Sequence, residues 1–176
     1  MIISPKIAVQ KGWITGLTDP IKQVQPNAID FTADQAFEVT QEDFYVSETY
    51  KQMRGSESLE PRTTFYESNS LSSWFIPGKG MVDFLSDVYV DLPEGVAAQL
   101  VIRSTLARNG LILTSGLYDS GFKGHIGFLL HNLHEREAVI AKGTRVGQIV
   151  FNGADSAGTY AGGYNHIKGT GLEYQA

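Results

Sequence analysis

The residues best suited to chemistry stand in glycine-punctuated segments. Asp119 lies in "GLYDSGFKG", Gly116 to Gly124, where two strands would turn. Glycines at 116, 121 and 124 let the backbone approach a ligand closely, and a carboxylate there could orient and deprotonate a water. An aspartate that only caps its own turn fits the same spacing. Arg103 and Ser104 open "RSTLARNG", placing a guanidinium fork and a hydroxyl where both could face a phosphate. A solvated arginine at a strand end accounts for them as well. In "KGTRVGQIVFN", Lys142 to Asn152, Arg145 and Gln148 are further phosphate donors or the outer row of a half-exposed strand. "GGYNHIKGTG" offers Lys168 and Thr170 in a frame able to wrap phosphate with backbone N–H groups; a flexible tail has the same composition. Phe122 could cover the flat face of a sugar or base, or belong to the core.

These segments must be carried by a chain of 176 residues with no cysteine and a formal net charge of −5, from 14 Lys+Arg against 19 Asp+Glu. That length suits one domain with its own core. The acidic balance argues against binding a long nucleic acid, which needs a concentrated positive surface. A small polyphosphate stays open, because a few cations converging on one pocket hold it on an acidic protein. The missing cysteines exclude disulfides and thiolate metal sites and suit a reducing cytosol, so a cytoplasmic location is expected. "MIISPKIAVQ" lacks a basic region followed by a long apolar core, and no apolar run approaches the roughly 20 residues that span a bilayer; no membrane partner is expected. The histidines His125, His131, His134 and His166 have no recognised zinc spacing, and no protein-built metal site is expected.

The positioning elements read as strands. "DVYVDL", "AAQLVI", "HIGFLLHN" and "RVGQIVF" are short apolar runs, each bounded by a turn signal such as "PGKG", "LPEG", "SGF" or "AKGT", which is the punctuation of an all-β sandwich, jelly roll or barrel. No window of helical length has a clean 3.6-residue stripe, although Gln41 to Met53 could hold a short helix. Arg54 to Ser73 is polar and serine-rich, and so reads as surface; together, about 41–73 forms a surface insertion. From Ala154 the chain is rich in glycine and small polar residues and reads as a flexible tail, 154–176.

Taken in order, these pieces resemble the dUTPase and dCTP deaminase superfamily. "NAIDFTA", Asn27 to Ala33, is similar to its first motif with Asp30 as the acid; "RSTLA" resembles the second, "SGLYDSGFKG" the third, "KGTRVGQIVF" the fourth, and the tail a loose fifth. The resemblance spans about Asn27 to Gly171 and implies a distorted jelly-roll or β-clip barrel of the dUTPase type. It also implies a homotrimer, with active sites between subunits closed by the C-terminal tail. On this resemblance Asp119 activates the water that attacks the α-phosphorus of dUTP, giving dUMP and pyrophosphate. Arg103, Ser104 and Gln148 hold phosphates, with Lys168 and Thr170 as tail helpers. Magnesium arrives on the triphosphate, with Asp30 reaching it at most through water. Ser115, Gly116 and Ile126 line the nucleoside. Phe122, in place of the usual tyrosine, packs on the deoxyribose.

"RSTLARNG" and "DSGFKGHI" resemble the deaminase branch more than compact dUTPases. In that branch a glutamate on the strand after the turn moves protons at the pyrimidine C4; here "IGFLLHN" puts Leu129 at that position. A leucine transfers no proton, so hydrolysis of dUTP is expected over dCTP deamination. A dCTP deaminase, a pyrophosphatase for dCTP or a modified pyrimidine deoxynucleotide, and a non-catalytic nucleotide-binding regulatory or interaction trimer are the alternatives.

Overall fold

Short apolar runs that alternate with polar residues bury one face and satisfy their backbone groups only by pairing, so this chain folds into sheets. A computed structural model describes residues 1–162, Tyr164 and Asn165. The N-terminal stretch forms α1 (Pro5–Gln10), β1 (Ile14–Thr15) and α2 (Pro20–Gln23), each helix opening on a proline that presets the first turn. Then follow β2 (Ile29–Val39), β3 (Tyr45–Val46), β4 (Lys51–Gln52), β5 (Ser56–Leu59), β6 (Arg62–Tyr66), β7 (Asn69–Ile76) and β8 (Met81–Asp91). The motif-bearing half contains β9 (Val96–Ile102), α3 (Ser104–Arg108), β10 (Leu111–Thr114), β11 (Lys123–Asn132), β12 (Ala138–Ala141) and β13 (Arg145–Gly153).

The main sheet runs β10-β11-β8-β2-β13-β9, antiparallel throughout, with β1 added to β8 and β5 to β2. Its two ends meet where Ala98 of β9 exchanges backbone hydrogen bonds of 2.8 and 2.9 Å with Tyr118, just beyond β10. That closure makes the sheet a nearly complete barrel, which leaves few free edges. The fold is therefore the all-β barrel expected.

The core is aromatic. Phe84 stacks on Phe128 at 5.6 Å between centroids, and Phe31 meets Phe128 edge-on at 5.1 Å. Gly124, Ile126, Phe128 and Leu130 of β11 are buried while His125, Gly127, Leu129 and His131 are half-exposed, the period of two that separates a core face from an outer face.

One expectation is corrected. Gln41 to Met53 is not helical: it holds the hairpin β3–β4, paired Tyr45↔Gln52 and Val46↔Lys51. Ser47 ties a turn by donating its backbone N–H and its hydroxyl to the Tyr50 carbonyl. That local bonding outweighs a weak helical preference. Arg54 to Ser73 is mostly exposed and is built of strands: β5 pairs with β2, and the β6–β7 hairpin pairs with β12.

Candidate active site

The centre of the constellation is Asp30, which stands near the start of β2 and is only 1% exposed. The β2–β13 register sets Gln148 directly opposite it, and cross-strand partners share a face. Gln148 Nε2 accordingly donates to Asp30 Oδ1 at 2.8 Å. Arg145 Nη1 donates to Asp30 Oδ2 at 3.0 Å and to the Lys22 carbonyl at 2.7 Å. Arg103, leaving the end of β9, brings its Nε to 3.5 Å from the same Oδ2, and its Nη1 donates to the Arg145 carbonyl at 3.2 Å. One buried carboxylate thus holds two guanidiniums and an amide side by side. Both arginine side chains stay about 30% exposed, and their combined charge exceeds that of Asp30 by one. The surplus stands at the surface, with exposed Ser104 next to Arg103 in the chain, and suits a polyanion.

The support behind Asp30 is equally specific. Asp87 on β8 accepts from the Thr32 backbone N–H at 2.9 Å and from Gln23 Nε2 at 3.4 Å, while Gln23 Nε2 also donates to the Asp30 carbonyl. Burial pushes the Asp87 carboxyl up, against the pull of its bonds to Thr32. Gly147 lets β13 cross the core face, because a Cβ there would sit 2.3 Å from the Phe31 ring.

Asp119 is held differently. Its neighbours are pinned: Tyr118 to Ala98, Ser120 Oγ to the Val96 carbonyl at 3.1 Å, and the Gly121 N–H to the Leu92 carbonyl at 2.9 Å. Its own side chain is exposed and makes no hydrogen bond among the described residues, so it does not cap its turn. Tyr118 lies beside Ala98, whereas Arg103 follows the far end of β9. Five residues of extended strand, roughly 16 Å, separate these two levels. Within one chain, Asp119 and the Asp30 cluster therefore occupy opposite ends of β9.

The remaining expected residues divide. Ser115 and Gly116 are exposed in the loop after β10. Phe122 is 6% exposed, wedged edge-on between Tyr118 at 5.0 Å and Tyr160 at 5.8 Å, so in this arrangement its ring belongs to the core and offers no open face to a sugar. Ile126 is fully buried, its side chain lines the barrel interior, and its backbone N–H donates to Ser86 Oγ at 3.3 Å. Lys168 and Thr170 lie outside the described residues. The described part of the tail folds over the Asp119 hairpin: the Tyr160 N–H donates to the Ser120 carbonyl at 2.6 Å, and the Lys123 N–H to Asn165 Oδ1 at 2.9 Å. Two cavities, of about 610 and 260 Å³, open around Met81 and Pro77, away from all these residues.

Sequence reasoning missed Gln23, Asp87, Asp83 and Tyr160. Of these only Asp83 left a signal, as the sole acid inside the apolar run "MVDFL".

This arrangement of motifs is that of a known family. The model of the dCTP deaminase-like family matches residues 3–154. The chain belongs to the dCTP deaminase-like family. Among its relatives, a probable deoxyuridine 5′-triphosphate nucleotidohydrolase of Halobacterium salinarum is 31% identical over 144 residues, covering 82% of this chain and 84% of that protein. The protein of the same name from Methanothermobacter thermautotrophicus is 31% identical over 141 residues, 80% of this chain and 87% of the relative. A dCTP deaminase, dUMP-forming, of Bifidobacterium longum is 29% identical over 157 residues, 88% and 77% of the two chains. The 2′-deoxycytidine 5′-triphosphate deaminase of Agrobacterium tumefaciens superposes with a TM-score of 0.62 at 13% identity, covering 87% of this chain. This chain spans about half of that deaminase, 48%; the likeness concerns the family fold. Among the described residues no group of three or more histidines, cysteines or carboxylates is arranged to hold a metal, and no helix is long and apolar enough to cross a membrane.

Proposed function

We propose that the protein hydrolyses dUTP to dUMP and pyrophosphate, as one domain assembled into a homotrimer. The observation that carries this reading is Asp119, exposed and without a side-chain hydrogen bond among the described residues, beside a strand that presents Leu129 where a proton-transferring acid would serve deamination. The names of the 31% identical relatives support it.

In this reaction Asp119 accepts a proton from water, whose oxygen attacks the α-phosphorus, and the bond to the departing pyrophosphate oxygen breaks. Such transfer asks a protein mainly for alignment and charge neutralisation. Arg103 and Arg145, preset by Asp30, neutralise phosphate charge, with Ser104 and Gln148 as neutral donors and Lys168 and Thr170 assigned to the tail. Ser115 and Gly116 face the base edge.

A divalent cation, Mg²⁺ in this reading, supplies charge neutralisation on the triphosphate. The donor set fits one held by phosphate oxygens and water, because both Asp30 oxygens already accept from Gln148 and the arginines. Asp30 then serves to position the cationic cluster rather than the metal.

The separation along β9 supports a site shared between copies, with Asp119 of one chain facing the arginine cluster of another. The test is incubation of the purified protein with Mg²⁺ and dUTP, dCTP or dTTP, assaying pyrophosphate and ammonia. Pyrophosphate from dUTP without ammonia from dCTP is expected; ammonia from dCTP overturns the assignment.

A further inference from the structure

Leu129 has a neighbour that the linear sequence hides. In the β8–β11 ladder its direct partner is Asp83, and in the β10–β11 ladder its partner is Thr114. Direct partners point to one face with Cβ atoms roughly 5 Å apart. Thr114, Leu129 and Asp83 therefore form a row across three strands, on the face turned away from the Phe84–Phe128 core. Beyond this row β10 ends, and β11 runs on from Phe128 back to Lys123 without a strand against that edge among the described residues. Tyr118 donates its hydroxyl to the Gly127 carbonyl at 2.6 Å, and Ser115 to Leu117, between β10 and Tyr118, are exposed. An opened hairpin with peptide groups on both sides suits a planar base that carries its own donors and acceptors. Gly127 is the diagonal neighbour of Asp83 on the same face and has no side chain to screen it.

Asp83 is 6% exposed and has no ion-pair partner among the described residues. Its charge is nevertheless felt by Tyr118, whose ionisation it opposes. A carboxyl in so dry a place makes hydrogen bonds that count strongly for or against a ligand group.

We propose that Asp83 selects the pyrimidine by its 4-substituent: with its proton it donates to a 4-oxo group, and without it accepts from a 4-amino group. Burial raises this carboxyl from 3.8 to about 7, so both forms are populated near neutrality. A 4-oxo base is preferred on the acid side and a 4-amino base gains on the alkaline side. The inference rests on the base entering the Asp119 hairpin, as in the reading above. Among the described residues the other titratable groups on this face are His131, diagonal to Asp83 on β11, His125 and Lys123 farther along the same strand, and Tyr118; β2 contributes Phe37 and β10 contributes Thr114 and Ile112.

The test is calorimetric binding of the non-hydrolysable α,β-imido analogues of dUTP and dCTP to the full chain at about pH 6 and about pH 8. The preference for the dUTP analogue should fall about tenfold between these conditions, the scale of one mismatched buried hydrogen bond. In Asp83→Asn, which keeps volume, His131 and Tyr118, the preference should change by less than about twofold. A constant preference in the wild type, or an undiminished swing in Asp83→Asn, overturns the inference. Failure of both analogues to bind overturns the dUTP reading with it, whereas binding of both with a constant preference overturns this inference alone.

Discussion

Replacing Asp30 by Asn tests whether one buried carboxylate organises the phosphate end of the site. The change preserves shape and keeps an oxygen for Gln148, but removes the charge that faces Arg145 at 3.0 Å and Arg103 at 3.5 Å. Breaking a fully buried pair by removing one partner costs about 3–5 kcal/mol. Here the arginines remain about 30% exposed, so water relieves part of the loss and a cost of about 2–3 kcal/mol is expected. For a chain of this size that lowers Tm by roughly 5–10 °C. The variant should unfold earlier in both thermal and urea scans. About 1 M salt should narrow the gap, because the two guanidiniums then repel each other through screened solvent. Triphosphate binding should weaken as well, since the arginines lose the contact that fixes their spacing. A melting temperature within 1 °C of wild type, with unchanged affinity for a triphosphate analogue, would refute the claim that Asp30 holds the cluster together.

Other consequences are equally accessible. Asp119→Asn should cut turnover about 10²- to 10⁴-fold while leaving Tm unchanged, because the side chain is exposed and makes no hydrogen bond among the described residues; mixing it with Arg103→Ala chains should restore about one quarter of wild-type sites if each site draws on two protomers. No recovery in refolded mixtures would place the site within one chain. Gly147→Ala should destabilise by about 1–3 kcal/mol, since the new methyl meets the fully buried Phe31 ring; an unperturbed urea midpoint would contradict that packing. Asp83 titrates near 7 when folded against an ordinary 3.8, so the fold binds its proton more tightly than the unfolded chain does. Stability from this group is full below about pH 4, falls as pH rises toward 7 and stays low above it. At about 1.4 kcal/mol per pH unit the ionised form costs the fold at most about 4 kcal/mol. Asp83→Asn should therefore be the more stable protein at about pH 8 and lose that advantage on acidification; equal stability of the two at high pH would sink the argument.

The sequence by itself determined what local chemistry dictates. Strands such as β11 and β13 were legible because period-two alternation and glycine turns are properties of neighbouring residues. Asp119, Arg103 and Gln148 were legible as candidates because their types and flanking glycines carry the chemistry with them. Where local signals were weak they misled: Gln41 to Met53 was open to a short helix, yet a serine turn makes it a hairpin. Pairings between distant residues were decided only by tertiary structure. Gln148 meets Asp30 across 118 positions of chain, Leu129 meets Asp83, and Asp119 lies a strand's length from the arginines it was expected to serve. Each depends on sheet register, and a slip of one residue would turn every side chain of a strand to the other face. Register is fixed by the burial of the whole barrel at once, so no short stretch of sequence can announce it.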